Sequence, residues 1–401
     1  MQITDLAKEQ ALSPLLRQAF RPMFLFGAIF SVVAMALWGM TLNGWIQLSP
    51  YQNVMFWHQH EMIFGFVGAI IVGFLLTAVQ NWTGMRATHG KALFSLTAVW
   101  LIGRLLMLFG GGLPPWFVAL VDLSFFPFAA ALFAGILINA GQQRNMFFVP
   151  VLLLFTVCNA IMHAGVLFGQ FQYIHVGSTA AVWLVTLIMA IVSGRVLPMF
   201  TANGTQTPRV DPKPLLDKLA LGSLWLIFIL HLFALVPRVP ATLMAALFAF
   251  SGALLAWRWL RVKPWITFKV PLLWSLHLSV GFIPFGLFLF ALRYAGLISM
   301  SHSAGVHVLA AGAMGLMILA MMARVSLGHT GRLLQPKAIM SVGFLLILFA
   351  ALMRVFAGWA LPGFAMHWYN IAILFWVVAY LLYVLVYFPV LTTPREDGRP
   401  G

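Results

Sequence analysis

The sequence predicts an all-α membrane protein, a bundle of about twelve transmembrane helices with both termini cytoplasmic. Three observations carry that prediction. Of 401 residues, 62% are hydrophobic and only 8% charged, with a mean hydropathy of +0.98; a water-soluble fold needs more polar surface than that. Apolar runs long enough to cross a bilayer recur along the whole chain. When those runs are read as alternating spans, the basic residues collect on one side.

In order, the spans fall near residues 22–42, 54–79, 92–109, 114–138, 146–169 and 174–197. They continue near 215–236, 240–260, 271–295, 302–325, 337–357 and 364–390. With the N-terminus inside, all 23 basic residues except Arg104, Arg238, Arg293 and Arg354 reach the cytoplasmic side, Lys8 among them. Removing one span would scramble this sorting from that point on. The chain reads as one integral membrane domain over 1–401, with a cytoplasmic N-terminal segment (1–21), a Pro-rich cytoplasmic mid-chain loop (204–214) and a cytoplasmic tail (391–401). The first 21 residues lack an apolar core of their own, so the first helix reads as a retained anchor.

Composition also excludes chemistries. Cys158 is the only cysteine, which rules out an internal disulfide, a cysteine zinc site and a cysteine-held iron–sulfur cluster. No C-x-x-C-H motif is present, so any haem is held non-covalently, as haem b. The net charge of +15 belongs to the membrane sidedness, and nucleic acid is not an expected partner.

Topology then sorts the histidines. All 11 except His89, His277 and His329 fall in the outer half. His58 and His60 open helix 2, His175 opens helix 6, His302 and His307 open helix 10, and His367 opens helix 12. His163 and His231 lie within about two turns of the outer ends of helices 5 and 7. A lone membrane histidine is commonly an interhelical hydrogen-bond partner. A set gathered on one side points instead to a bound metal or haem, because imidazole is the usual nitrogen ligand for copper and haem iron. His58 and His60 are two apart and point about 200° from each other on a regular helix. Glu61 either orients one of these imidazoles or is a hydrated interface carboxylate.

Helices 2 and 10 echo each other. "HEMIFGFVGAIIVGFLLTAVQNWTG" (60–84) aligns without gaps on "HVLAAGAMGLMILAMMARVSLGHTG" (307–331), matching His60 with His307, Gly65 with Gly312, Gly68 with Gly315 and Gly84 with Gly331. Helix 6 also opens on a histidine, which suggests three four-helix units. That arrangement is similar to the haem–copper oxidase core subunit, but neither a His-Pro-Glu motif at helix 6 nor a His-His pair at helix 7 is present.

The segments "FRPMFLFGAIF" (20–30), "WHQHEMIFGFVGAIIVGFLLTAVQNWTG" (57–84) and "GAMGLMILAMMARVSLGHTGR" (312–332) resemble the hallmark segments of the NnrS family, over essentially the whole chain. The resemblance implies a bacterial inner-membrane protein that contains haem and copper and is associated with denitrification and nitric oxide stress. It implies nitric oxide or a related small molecule as partner, and an electron donor if the protein is redox-active. It brings no ligand set, so the candidates rest on side and chemistry: His60, His307, His58 and His302 for cofactor binding, and His175, His163, His231 and His367 for metal.

Charged residues inside the spans complete the set. Arg104 and Asp122 stand at similar distances from the loop 110–115 on helices 3 and 4, as a buried pair or a proton path. Arg293 and Arg354 either receive haem propionates or snorkel to the interface. Glu61, Asp122 and Arg104 are thus the supporting or proton-coupling candidates, and no residue is assigned to catalysis. Two other classes fit the composition: a twelve-helix secondary transporter and a non-catalytic metal chaperone.

Overall fold

The computed structural model describes residues 10–357 and 360–399. The expectations for Lys8, for the rest of 1–9 and for the last two residues of the tail lie outside them. Twelve helices are long and apolar enough to cross a membrane: α1 Phe20–Leu42, α2 Val54–Thr83, α3 Gly90–Gly112, α4 Pro115–Asn139, α5 Phe148–Leu167 and α6 Gln172–Thr205, then α7 Pro214–Leu232, α8 Ala241–Leu260, α9 Pro271–Tyr294, α10 His302–His329, α11 Ala338–Phe356 and α12 Pro362–Thr392. The described residues contain no strand. The chain is therefore an all-α, multi-pass membrane protein.

The expected spans are recovered with one extension. α6 does not stop near 197 but runs through Pro198 to Thr205. A proline removes one backbone bond and crowds the preceding turn, and in membrane helices neighbouring groups take up that loss.

Packing gathers the chain into two compact units, Met1–Ser178 with Met322–Gln335 and Tyr380–Gly401, and Thr179–Met321 with Pro336–Ala379. The contacts thus delineate two groups. α6, α10 and α12 each divide their length between the two groups.

In the first unit small residues set the approach of α1 to α2. A Cβ on Gly73 would lie 2.6 Å from Met23, and one on Gly27 would lie 3.0 Å from Ile70. Thr77 Oγ1 accepts the Phe20 amide at 2.9 Å, capping the entry of α1. α4 breaks at Ser124, because Pro127 has no N–H for the carbonyl four residues back. Asp122 sits at that break.

The echo of α2 in α10 extends to backbone conformation. Asn53 caps α2 by accepting the Phe56 amide, and Ser301 caps α10 by accepting that of Ala304. Directly after His60 the helix widens into a π segment, Glu61–Val67; directly after His307 it does so again, Val308–Gly315. Gly84 and Gly331 lie beyond the far ends at φ of 71° and 75°, a left-handed turn that glycine adopts without strain.

Candidate metal centre

Five of the candidates meet in the first unit. His60 and Glu61 come from α2, Arg104 from α3, Asp122 from the break in α4 and His163 from α5, and all are buried. The π segment positions the first pair. One extra residue in the turn sets His60 and Glu61 side by side, with His60 Nδ1 2.8 Å from Glu61 Oε1. It also re-aims the Gly65 carbonyl, which accepts the Trp100 indole N–H at 2.9 Å. Gly65 leaves the room that Arg104 fills, since a Cβ there would lie 2.7 Å from Arg104 Nη1.

Arg104 bridges the two carboxylates. Its Nη1 donates to Glu61 Oε1 at 2.5 Å and its Nη2 to Asp122 Oδ1. The Arg104–Asp122 pair expected from their matching depth is thus present, and Glu61 joins it. A buried pair of this kind is held by its hydrogen bonds more than by net charge attraction, since desolvation offsets most of that gain.

The other Asp122 oxygen, Oδ2, is the centre of the group. His60 Nε2 lies 3.0 Å from it, His163 Nε2 3.1 Å, and Asn159 Nδ2 donates to it at 2.6 Å. Asn159 Oδ1 in turn lies 2.8 Å from His60 Nε2. His163 Nδ1 lies 3.3 Å from the Tyr51 hydroxyl, which donates to the Pro115 carbonyl at 3.3 Å. Tyr51, in the loop before α2, is buried beside this carboxylate. Burial first, and the Asp122 charge second, push its phenol up to about 12. Both nitrogens of His60 face acceptors, so without a metal the ring satisfies them as a double donor.

Asn159 and Tyr51 belong to this buried group and were not singled out by the sequence reading. Asn159 carried a signal, standing one helical turn before His163 in an otherwise apolar helix. Tyr51 carried none, being an interface aromatic like many others.

The remaining candidates lie elsewhere. In the first unit His58 is half-buried and stacks on Trp38 at 4.3 Å, and His175 is exposed at the start of α6. In the second unit His231 donates from Nδ1 to the Ile227 carbonyl at 2.8 Å, within a cluster with Trp183 and Phe248. His302 lies against Phe290 and 3.4 Å from Thr179 Oγ1. His307 donates from Nδ1 to the Ser303 carbonyl at 2.8 Å. Arg293 donates to the Met300 carbonyl, and Arg354 donates to Ser303 Oγ and lies over the Tyr369 ring. His367 is exposed, near Phe364.

The donor set fits a metal ion. His60, Asp122 and His163 each offer a ligand atom, all within 4.8 Å of one another, and two imidazoles with one carboxylate oxygen suit copper, zinc or iron. Arg104 engages Asp122 through Oδ1, which leaves Oδ2 to the site. Glu61 Oε2 is also buried with no hydrogen-bond partner among the described residues, an acceptor beside the group. A porphyrin does not fit between these two imidazoles, because both Nε2 atoms converge on one carboxylate oxygen.

A search of curated proteins finds no match to the chain. A family model described as NnrS protein matches residues 14–395, which takes in the buried group, the π segments of α2 and α10 and all twelve spans. Matched over nearly its entire length, the chain belongs to the NnrS family.

Proposed function

We propose that this protein serves the nitric oxide stress response, or denitrification, from the bacterial inner membrane by holding copper at His60, Asp122 and His163. The observation that carries the reading is the convergence of two imidazoles on one carboxylate oxygen in a fully buried setting. The family's tie to nitric oxide supports it. A bound copper ion supplies a one-electron couple and a position for a small ligand. The protein's own residues then have distinct tasks. Asn159 and Arg104 fix the Asp122 carboxylate, Glu61 holds His60 from behind through Nδ1, and the Tyr51 hydroxyl orients the His163 ring. Burial excludes bulk water. Turnover requires an electron donor outside this chain.

Haem b belongs, in this reading, to the second unit. His231 and His307 each give Nδ1–H to a carbonyl of their own helix, and they are the imidazoles that would hold such a group, through Nε2. The test is metal and haem content of the detergent-purified full-length protein, with a reduced-minus-oxidised spectrum taken before and after nitric oxide. The expected result is copper and haem near one per chain and a spectrum that nitric oxide shifts. His163→Ala should lose copper and keep haem, and His307→Ala the reverse. Folded protein with neither cofactor, or full copper in His163→Ala, would overturn the reading.

A further inference from the structure

The second unit carries a cavity that the metal centre does not use. It has a volume of about 100 Å³ and lies among α6, α7, α8 and α9, at the ends that the basic residues assign to the cytoplasm. Arg209, Lys213 and Arg261 line it, together with Asp211. Arg209 and Lys213 have no ion-pair partner among the described residues, whereas the neighbouring Arg258 is spoken for. Arg258 Nε donates to Asp217 Oδ1 at 2.6 Å and Nη1 to the Ala190 carbonyl at 2.5 Å. Gly194 leaves the space for that arginine, since a Cβ there would overlap its guanidinium. Arg258 and Asp217 therefore pair in the wall, Arg261 Nη2 donates to the Asp211 carbonyl at 2.7 Å and Lys213 Nζ lies over the Trp257 ring, which leaves Arg209 and Lys213 as lining cations without a carboxylate partner.

Two further features point to what enters. Trp259 lines the cavity, and its indole Nε1 is buried with no hydrogen-bond partner among the described residues, a donor in need of an acceptor. Pro198 in α6 and Pro284 in α9 also line it. Each proline removes the amide that would bond the carbonyl four residues back, at Gly194 and Val280. The lower wall is apolar, and Trp257, Trp265 and Phe268 stand exposed at the same end, as aromatic side chains do at a lipid headgroup boundary. Basic pockets between helices on the cytoplasmic side are where anionic headgroups bind.

We propose that this cavity binds a phosphate ester anion, held by Arg209 and Lys213 with Arg261 and Trp259 beside them. An inner-leaflet phospholipid of the phosphatidylglycerol kind and a soluble phosphate share this chemistry, and the experiment separates them. Delipidated full-length protein in detergent is titrated with phosphatidylglycerol, phosphatidylcholine or inorganic phosphate while the unfolding midpoint and tryptophan fluorescence are followed. Phosphatidylglycerol should raise the midpoint and change the fluorescence, and phosphatidylcholine should not. Arg209→Gln/Lys213→Gln should start from the same unliganded midpoint and bind phosphatidylglycerol about tenfold more weakly. Trp259→Phe should lose most of the fluorescence response. If inorganic phosphate reproduces the whole response and the double variant abolishes it, the site stands with a soluble ligand. Equal responses to both lipids with none to phosphate, or an unchanged phosphatidylglycerol titration in the double variant, would overturn the proposal.

Discussion

Asn159 and His163 stand one turn apart on α5 and both reach Asp122 Oδ2, Asn159 at 2.6 Å and His163 at 3.1 Å. A single helical face thus supplies both a carboxamide and an imidazole to one oxygen. Asn159→Ala removes the carboxamide and leaves His60 Nε2 and Asp122 each short of a partner in a buried site. Leaving a buried polar group unsatisfied costs about 1–3 kcal/mol. The variant should unfold at a lower temperature and hold less copper, measured on one preparation. A wild-type midpoint together with wild-type copper would show that the carboxamide is idle.

Arg104 neutralises two buried carboxylates, so removing it is a different kind of change. Arg104→Leu should destabilise by about 3–5 kcal/mol, the usual cost of stranding a buried charge. Arg104→Leu combined with Asp122→Leu should recover part of that loss by removing one stranded anion. Thermal unfolding of the three proteins in one detergent decides it, and a double variant less stable than the single one contradicts the pairing.

Gly65 makes a purely geometric prediction. A methyl there meets Arg104 Nη1 at 2.7 Å and Phe30 at 2.9 Å, whereas nothing lies within 4 Å of a methyl on Gly222. Gly65→Ala should therefore lose copper and stability, with Gly222→Ala as the neutral control. Metal analysis of both variants would expose any general intolerance of alanine in these helices.

Tyr51 gives a pH-dependent signature. Its phenol is raised from 10.0 to about 12 in the folded protein, so its contribution to stability is complete below pH 10 and is lost as pH rises through 12. In metal-depleted protein, the near-ultraviolet phenolate titration of wild type minus Tyr51→Phe should show one group with a midpoint near 12. A midpoint near 10 would mean that the hydroxyl meets bulk water.

Much of this is legible in the sequence, for identifiable reasons. The spans are, because each is a long apolar run and the basic residues punctuate them. The Arg104–Asp122 pair is, because charges at matching depth in a bilayer have few alternatives. The divergence of His58 from His60 is too, since a spacing of two residues turns the rings to different sides, and the structure finds them at Trp38 and Asp122. Asn159 and Tyr51 escape because uncharged polar side chains do not stand out by cost. The passage of α6 through Pro198 escapes because a proline reads locally as a stop. The two-unit grouping escapes because it depends on how three long helices share their contacts, which the spacing of histidines does not encode.

The π segments of α2 and α10 have one more consequence. Such a segment is an α-helix with a single residue inserted, and that residue acts as a phase shifter between the two ends of the same rod. The Gly-rich half of α2 keeps its small face on α1, while the half above the shift is free to aim His60 at Asp122. Deleting one residue between 61 and 67 would restore a continuous α-helix and turn His60 by about 100° relative to the lower half. The lower half would stay packed, and the imidazole would point away from its carboxylate. Length polymorphism of one residue at this place is therefore a switch between a helix that merely crosses the membrane and one that also presents a ligand.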